Sequence, residues 1–274
     1  LSDYLIIQKT GSEKIMSKKD KGVDPFQKEL QKGFKWTTEH TRLMLIAALA
    51  FVVIAGGWAI KSYTDKQKEL EAQSAYFPLE KALLEKRSQF MAADEPNPNK
   101  KTPTPEAVKA SGDFTKDYGS EASALNTFID KYPSSEAAQM AALNLASVQN
   151  EYKQFDAAEK VLEKVKSNSS TFISGLVMSE LGNTKANLNN CQNAIETWNT
   201  VLTNKKAAFL QGSVKLKQAL CYEALKNPEK AKSLYAEIKA TDKDGTLGKT
   251  ADKYKRLLGA ESAAAEPSKA ESPK

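Results

Sequence analysis

Residues 43–60 read LMLIAALAFVVIAGGWAI, eighteen positions in succession without a charge, bounded by Arg42 and Lys61. At ~1.5 Å of helical rise per residue the stretch is roughly 27 Å long, close to the ~30 Å hydrocarbon core of a bilayer. A helix satisfies its own backbone hydrogen bonds there without help from water. The stretch therefore divides the chain into a short basic head (1–42), one membrane crossing (43–60) and a long polar body.

The two flanks set an expected orientation. The head carries nine Lys/Arg against six Asp/Glu, and seven of those bases fall between Lys18 and Arg42. Beyond the span come Lys61, Lys66 and Lys68, then Glu69, Glu71 and Glu80. Bases beside a span favour the cytoplasmic side, so the N-terminus should stay inside and the body should cross. Trp36, Trp58 and Tyr63 stand where interfacial aromatic residues are expected. The rival reading is a cleaved signal peptide, with Ala55 and Gly57 as a small-x-small site before Trp58. The head is long for a signal peptide even when counted from Met16, which favours a retained anchor. Met16-Ser-Lys-Lys reads as a translation start, and residues 1–15 are assigned no role.

The body, residues 62–274, holds 30 bases and 28 acids, a balance that gives no electrostatic case for nucleic acid. Its wealth of Ala, Leu, Lys and Glu points to an all-α fold. A helix over 61–92 should carry Ala72, Tyr76, Leu79, Leu83 and Phe90 near one face, with Pro78 kinking or restarting it. PNPNKKTPTP at 96–105 marks residues 93–112 as a loop. The tail, 259–274, has almost nothing to bury and is expected to be disordered.

Between 113 and 258 the chain repeats. Leu145-Ala146 followed by Phe155-Asp156-Ala157-Ala158 and Leu162 aligns with Leu181-Gly182 followed by Asn193-Ala194-Ile195 and Trp198. A third copy runs Ala219, Tyr222, Lys230-Ala231 and Tyr235, and LNTFIDKYPSS at 125–135 is an earlier half-copy with Glu121 at its small-residue position. Ala158, Ala194 and Ala231 are spaced by 36 and 37. The physical reason is close packing of paired helices. The first needs a small residue (Ala146, Gly182, Ala219) where its partner crosses. The second needs Ala at the crossing and a bulky residue one turn later (Leu162, Trp198, Tyr235). One pair cannot bury both faces, so pairs stack into a solenoid whose ends need caps. Residues 246–258, with Ala251, Tyr254, Leu257 and Leu258 before Gly259, read as the capping helix. Turns such as KSNSS at 166–170 take up the extra repeat length.

These residues resemble the tetratricopeptide repeat, which makes the fold class a single transmembrane helix followed by a tetratricopeptide-repeat solenoid. Over residues 26–258 the order of parts also resembles the ancillary SecYEG translocon subunits, a bacterial family of single-span proteins, although the 93–112 insert is longer than that family leads one to expect. That resemblance implies a place in the bacterial inner membrane with the C-terminal domain periplasmic. The implied partners are translocon subunits, emerging chains, and a periplasmic chaperone or membrane-anchored prolyl isomerase. A cell-envelope scaffold for division or wall-synthesis proteins is the alternative.

Catalytic chemistry finds no support. His40, the only histidine, lies beside the membrane segment, so histidine triads and histidine-bearing zinc clusters are excluded from the body. No Gly-rich phosphate loop precedes a helix; Gly56-Gly57 lies inside the span. No catalytic, cofactor or metal site is expected.

Function should instead lie on the concave face, which the repeat resemblance assigns mainly to each first helix. Carried over by register, it comprises Met140, Leu143, Ser147, Asn150 and Glu151, then Leu176, Ser179, Asn183, Ala186 and Asn187, then Ser213, Leu216, Leu220, Glu223 and Ala224. The alternative is that Leu143, Leu216 and Leu220 complete the core between helices. Lys217 is the only base nearby, too few for the carboxylate-gripping repeats that bind chaperone tails. As a binding face, Asn150, Asn183 and Asn187 should be replaceable by Ala with little effect on stability. Cys191 and Cys221 fall on elements that rise to the same edge of the stack, where they either bridge or serve as small buried apolar residues.

Overall fold

The computed structural model describes residues 40–94, 108–167 and 170–265. The head up to residue 39, linker residues 95–107 and tail residues 266–274 lie outside the described residues, and with them most of the expectations for those segments. The chain divides into two units, Leu1–Ser62 and Tyr63–Lys274. Among the described residues every element is helical and no strand occurs.

In the first unit the described residues belong to helix α1 (Thr41–Asp94), which continues into the second. Residues 43–60 are exposed on every side, with Phe51, Ile54 and Trp58 among the most open. A helix that is apolar all round has to be surrounded by something apolar. This one is long and apolar enough to cross a membrane, compatible with a single span. Pro78 neither kinks nor restarts α1 strongly enough to divide it. It sits on an exposed face together with Ser74, whose carbonyl lacks the donor that a proline four residues on cannot supply.

The second unit stacks helix upon helix: α2 (Phe114–Lys131), α3 (Glu136–Glu151), α4 (Phe155–Val165), α5 (Phe172–Asn187), α6 (Cys191–Thr203), a 3-10 helix (Lys205–Leu210), α7 (Gln211–Ala224), α8 (Pro228–Thr241) and α9 (Thr246–Ala265). The half-copy at 125–135 gains its missing partner from α1. Ala72, Tyr76, Leu83 and Phe90 are buried; Tyr76 stacks on Phe128 at 5.6 Å and Phe90 meets Tyr118 edge-on at 5.4 Å. The same helix runs parallel to α3. The Glu69 carboxylate accepts from the backbone N–H groups of Glu136 (2.9 Å) and Ala137 (3.2 Å), Asn144 donates to the Tyr76 hydroxyl (2.7 Å), and Arg87 pairs with Glu151. Partners advance along both helices in the same direction. Residues 63–94 are thus the first helix of the first pair.

Three turns between paired helices are alike. Lys153, Asn189 and Lys226 are all left-handed, with φ of 58°, 61° and 57°. Each is followed by an N–H that reaches back to the helix it leaves: Gln154 to the Gln149 carbonyl, Asn190 to Lys185, Asn227 to Tyr222. This six-to-one closure satisfies carbonyls that the helix end leaves open. Asn190 and Asn227 then cap α6 and α8 with their side chains.

Close packing follows the repeat. Ala146, Ala158, Leu162, Ala194, Trp198, Ala219, Ala231 and Tyr235 are all at most 1 % exposed. At the far end Ala251 is buried and Tyr254 stacks on Tyr235 at 5.9 Å, so α9 covers the last pair. One expectation needs correction. Gly259 does not end α9, which runs on to Ala265. A side chain at 259 would meet open space, and the AESAAA stretch after it is made of strong helix formers. The 3-10 helix between α6 and α7 also went unforeseen. Asn204 holds it in place, accepting from the Lys206 N–H (3.0 Å) and donating to the Thr171 carbonyl (2.8 Å).

Candidate partner-binding groove

The first helices α3, α5 and α7 lie side by side, and their facing residues form a polar ladder. Asn150 donates to Glu180 (2.8 Å) and to Thr184 (3.0 Å). Asn183 donates to the other oxygen of Glu180 (2.8 Å), and Lys217 donates to Asn183 Oδ1 (2.8 Å). Both rungs between helices, Asn150 to Thr184 and Asn183 to Lys217, span 34 residues. Partly buried polar groups joined in this way hold neighbouring repeats in register. Asn150 and Asn183 therefore serve the fold as well as the face, and replacing them with Ala leaves Glu180 short of donors at a cost of about 1–3 kcal/mol. The expectation of unchanged stability on their replacement is withdrawn.

Other residues of the sequence-defined face sort by what they touch. Met140 and Leu143 pack against the first core cluster and Leu216 against the last; of the three leucines in the core alternative, Leu143 and Leu216 are core-facing. Ser179 is buried, and its carbonyl accepts the indole N–H of Trp198 at 3.1 Å. Glu151 is engaged by Arg87 of α1. Ser213 turns its hydroxyl back to the Leu210 carbonyl (2.9 Å), and Glu223 accepts from the buried Tyr235 hydroxyl (2.6 Å). Ser147 and Leu176 are half-buried.

The remainder converge. A groove of about 670 Å³ opens between α5, α6 and α7, lined by Asn183, Ala186, Asn187, Lys217, Leu220 and Ala224 from the expected face. Sequence reasoning missed Asn189, Trp198 and Leu225 as wall residues, and missed that Cys191 and Cys221 line the same groove. Those two cysteines form a disulfide, with Cα atoms 5.2 Å apart, tying the start of α6 to α7. The left-handed turn at Asn189 carries the chain to Cys191, which is what brings the two ends together. Leu220 and Leu225 remain 38 % and 44 % exposed, so the groove offers apolar surface that the fold itself leaves uncovered.

Its one cation is distinctive. Burial pushes the Lys217 ammonium below its ordinary pKa, and the Glu180 charge opposes that shift. An ammonium held in this way gains from an approaching carboxylate. The groove thus combines apolar walls, the amides of Asn183 and Asn187, and one partly desolvated charge. Such a surface can hold an extended peptide or a partner loop; it carries no nucleophile beside a base.

A family model described as a tetratricopeptide repeat-like domain matches residues 35–255, and the chain belongs to that family. The matched range includes the uncharged 43–60 segment as well as the helix pairs. No curated protein matches the chain. Domains of this class are typically non-catalytic modules for protein–protein interaction, so the partners are proteins.

Proposed function

We propose that this protein is a membrane-anchored interaction module that assists protein export or periplasmic folding beside the Sec translocon. In this reading its N-terminus is cytoplasmic and its repeat domain lies on the periplasmic side of a bacterial inner membrane. The groove between α5 and α7 receives segments of emerging chains or of a chaperone partner. The observation that carries the exported location in this reading is the Cys191–Cys221 bridge in the groove wall. Disulfides persist in oxidising compartments and are rare in the cytosol, so the bridge supports a body exported across the membrane. The basic 18–42 segment supports the same orientation independently.

Co-purification of the full chain from membranes in mild detergent tests the function. Translocon subunits with a periplasmic chaperone or prolyl isomerase are the expected companions. Division or wall-synthesis proteins in their place support the envelope scaffold instead. Protease added to spheroplasts should remove the repeat domain; a domain protected until the membrane is lysed overturns the orientation.

A further inference from the structure

The part of α1 that belongs to the second unit presents two faces. One, with Ala72, Tyr76, Leu83 and Phe90, is buried against α2 and α3. The other carries Tyr63, Leu70, Phe77, Leu84 and Met91, each separated from the next by seven residues and each 50–66 % exposed. None of the described residues covers this stripe, and it lies outside the uncharged span. Five large apolar side chains at one seven-residue period form a seam of the kind two helices close by wrapping around each other. On a straight helix such a stripe drifts by about 20° per heptad, and a left-handed supercoil removes the drift.

We infer that α1 pairs in parallel with α1 of a second copy of this chain along the Tyr63–Leu70–Phe77–Leu84–Met91 stripe. The inference rests on reading residues 43–60 as a retained membrane anchor. Two anchored copies then emerge side by side in the same direction. Each seam starts at the same distance from its own span, so the two are in register without any adjustment. The alternate positions are Gln67, Ser74, Lys81 and Ser88, so every second layer is polar and the pair would be weak between free helices. Anchoring offsets this by raising the effective concentration of one helix near the other. Ser74 and Ser88 are also short enough to let the backbones approach. Two copies would remove on the order of 1,000 Å² from water along the seam, at the threshold for a specific interface.

Cysteine cross-linking of the full chain in native membranes tests this. Phe77→Cys and Leu84→Cys, made singly, should give on mild oxidation a product of twice the 30.1 kDa chain mass. Ala82→Cys, on a different exposed face of the same helix, is the control. The stripe positions should exceed it by about tenfold, because a disulfide tolerates little excess Cα separation. Absence of the product, equal yield at position 82, or an adduct of another mass overturns the pairing with a second copy. Light scattering of the detergent-solubilised Phe77→Glu/Leu84→Glu variant should show the dimer lost with helical signal retained; a persisting dimer also overturns it. Alkaline extraction separates the two layers of the inference. A chain that washes out overturns anchor and pairing together, whereas one that stays in the membrane without cross-linking overturns the pairing alone.

Discussion

Gly182 sits in α5 where Trp198 of α6 crosses it, and a methyl group there has nowhere to go. A Cβ built on Gly182 would fall closer than 3.0 Å to three atoms of the Trp198 ring system. The ring cannot swing aside: it is 1 % exposed and its N–H is bound to the Ser179 carbonyl. Overpacking of this kind costs about 1–3 kcal/mol, and the severity of the overlap argues for the upper end. Against it stands the better helix propensity of Ala, worth about 1 kcal/mol. Gly182→Ala should therefore lose about 2 kcal/mol net. In urea unfolding followed by far-ultraviolet circular dichroism, the midpoint should fall by roughly 0.7 M with an unchanged slope. The companion experiment is Gly182→Ala in a Trp198→Leu background. There the overlap is gone, and the alanine should be neutral or stabilising by up to about 1 kcal/mol. Because Trp198 also forms a wall of the groove, the single variant should weaken partner capture as well. A Gly182→Ala protein as stable as its parent would refute the claim that α5 and α6 cross at this glycine.

Three further outcomes follow from the same geometry. The Cys191–Cys221 bridge closes a separation of 30 residues, so reduction, or replacement of both by Ser, should cost about 3.6 kcal/mol by the chain-entropy relation; an unchanged urea midpoint on reduction contradicts it. Lys226 is exposed and left-handed, so Lys226→Gly should raise stability by about 0.5–1 kcal/mol in the same assay, and a loss would mean that the turn is not left-handed. Burial holds the folded-state pKa of Lys217 below 10.5, so the folded chain binds fewer protons than the unfolded one in the interval below that value. Its contribution is thus unfavourable and flat near neutrality and improves as pH rises toward 10.5; the stability difference between parent and Lys217→Met should shift in the parent's favour over that range, and a constant difference counts against desolvation.

The long apolar helix and the solenoid were legible in the chain for a simple reason. A spacing of small and bulky residues is a one-dimensional record of burial, and Ala158, Ala194 and Ala231 are all fully buried; an uncharged run records the apolar surroundings a helix needs. Polar residues at first-helix register positions carry no such record. Asn150 and Asn187 read alike in the sequence, yet Asn150 is spent on Glu180 and Thr184 while Asn187 lines the open groove. Which of two asparagines is free depends on what the next helix places opposite it. The same limit hid Trp198 as a groove wall, because a residue at a packing position can be core on one edge and surface on the other.

The identity of the first helix pair shows the division most clearly. From sequence, 125–135 was a half-copy without a partner, and the long insert before it concealed the match. Tertiary structure supplied α1, since Glu69, Tyr76 and Arg87 meet α3 across 64–68 residues of chain. The chain by itself determined that it has one apolar span and a stack of paired helices, because local periodicity and composition decide how each segment hides its apolar face. Only the folded molecule decided which helix completes the first pair, whether the two cysteines meet and where a groove remains open, because those depend on side chains brought together from distant positions, and spacing along the chain does not encode that separation in space.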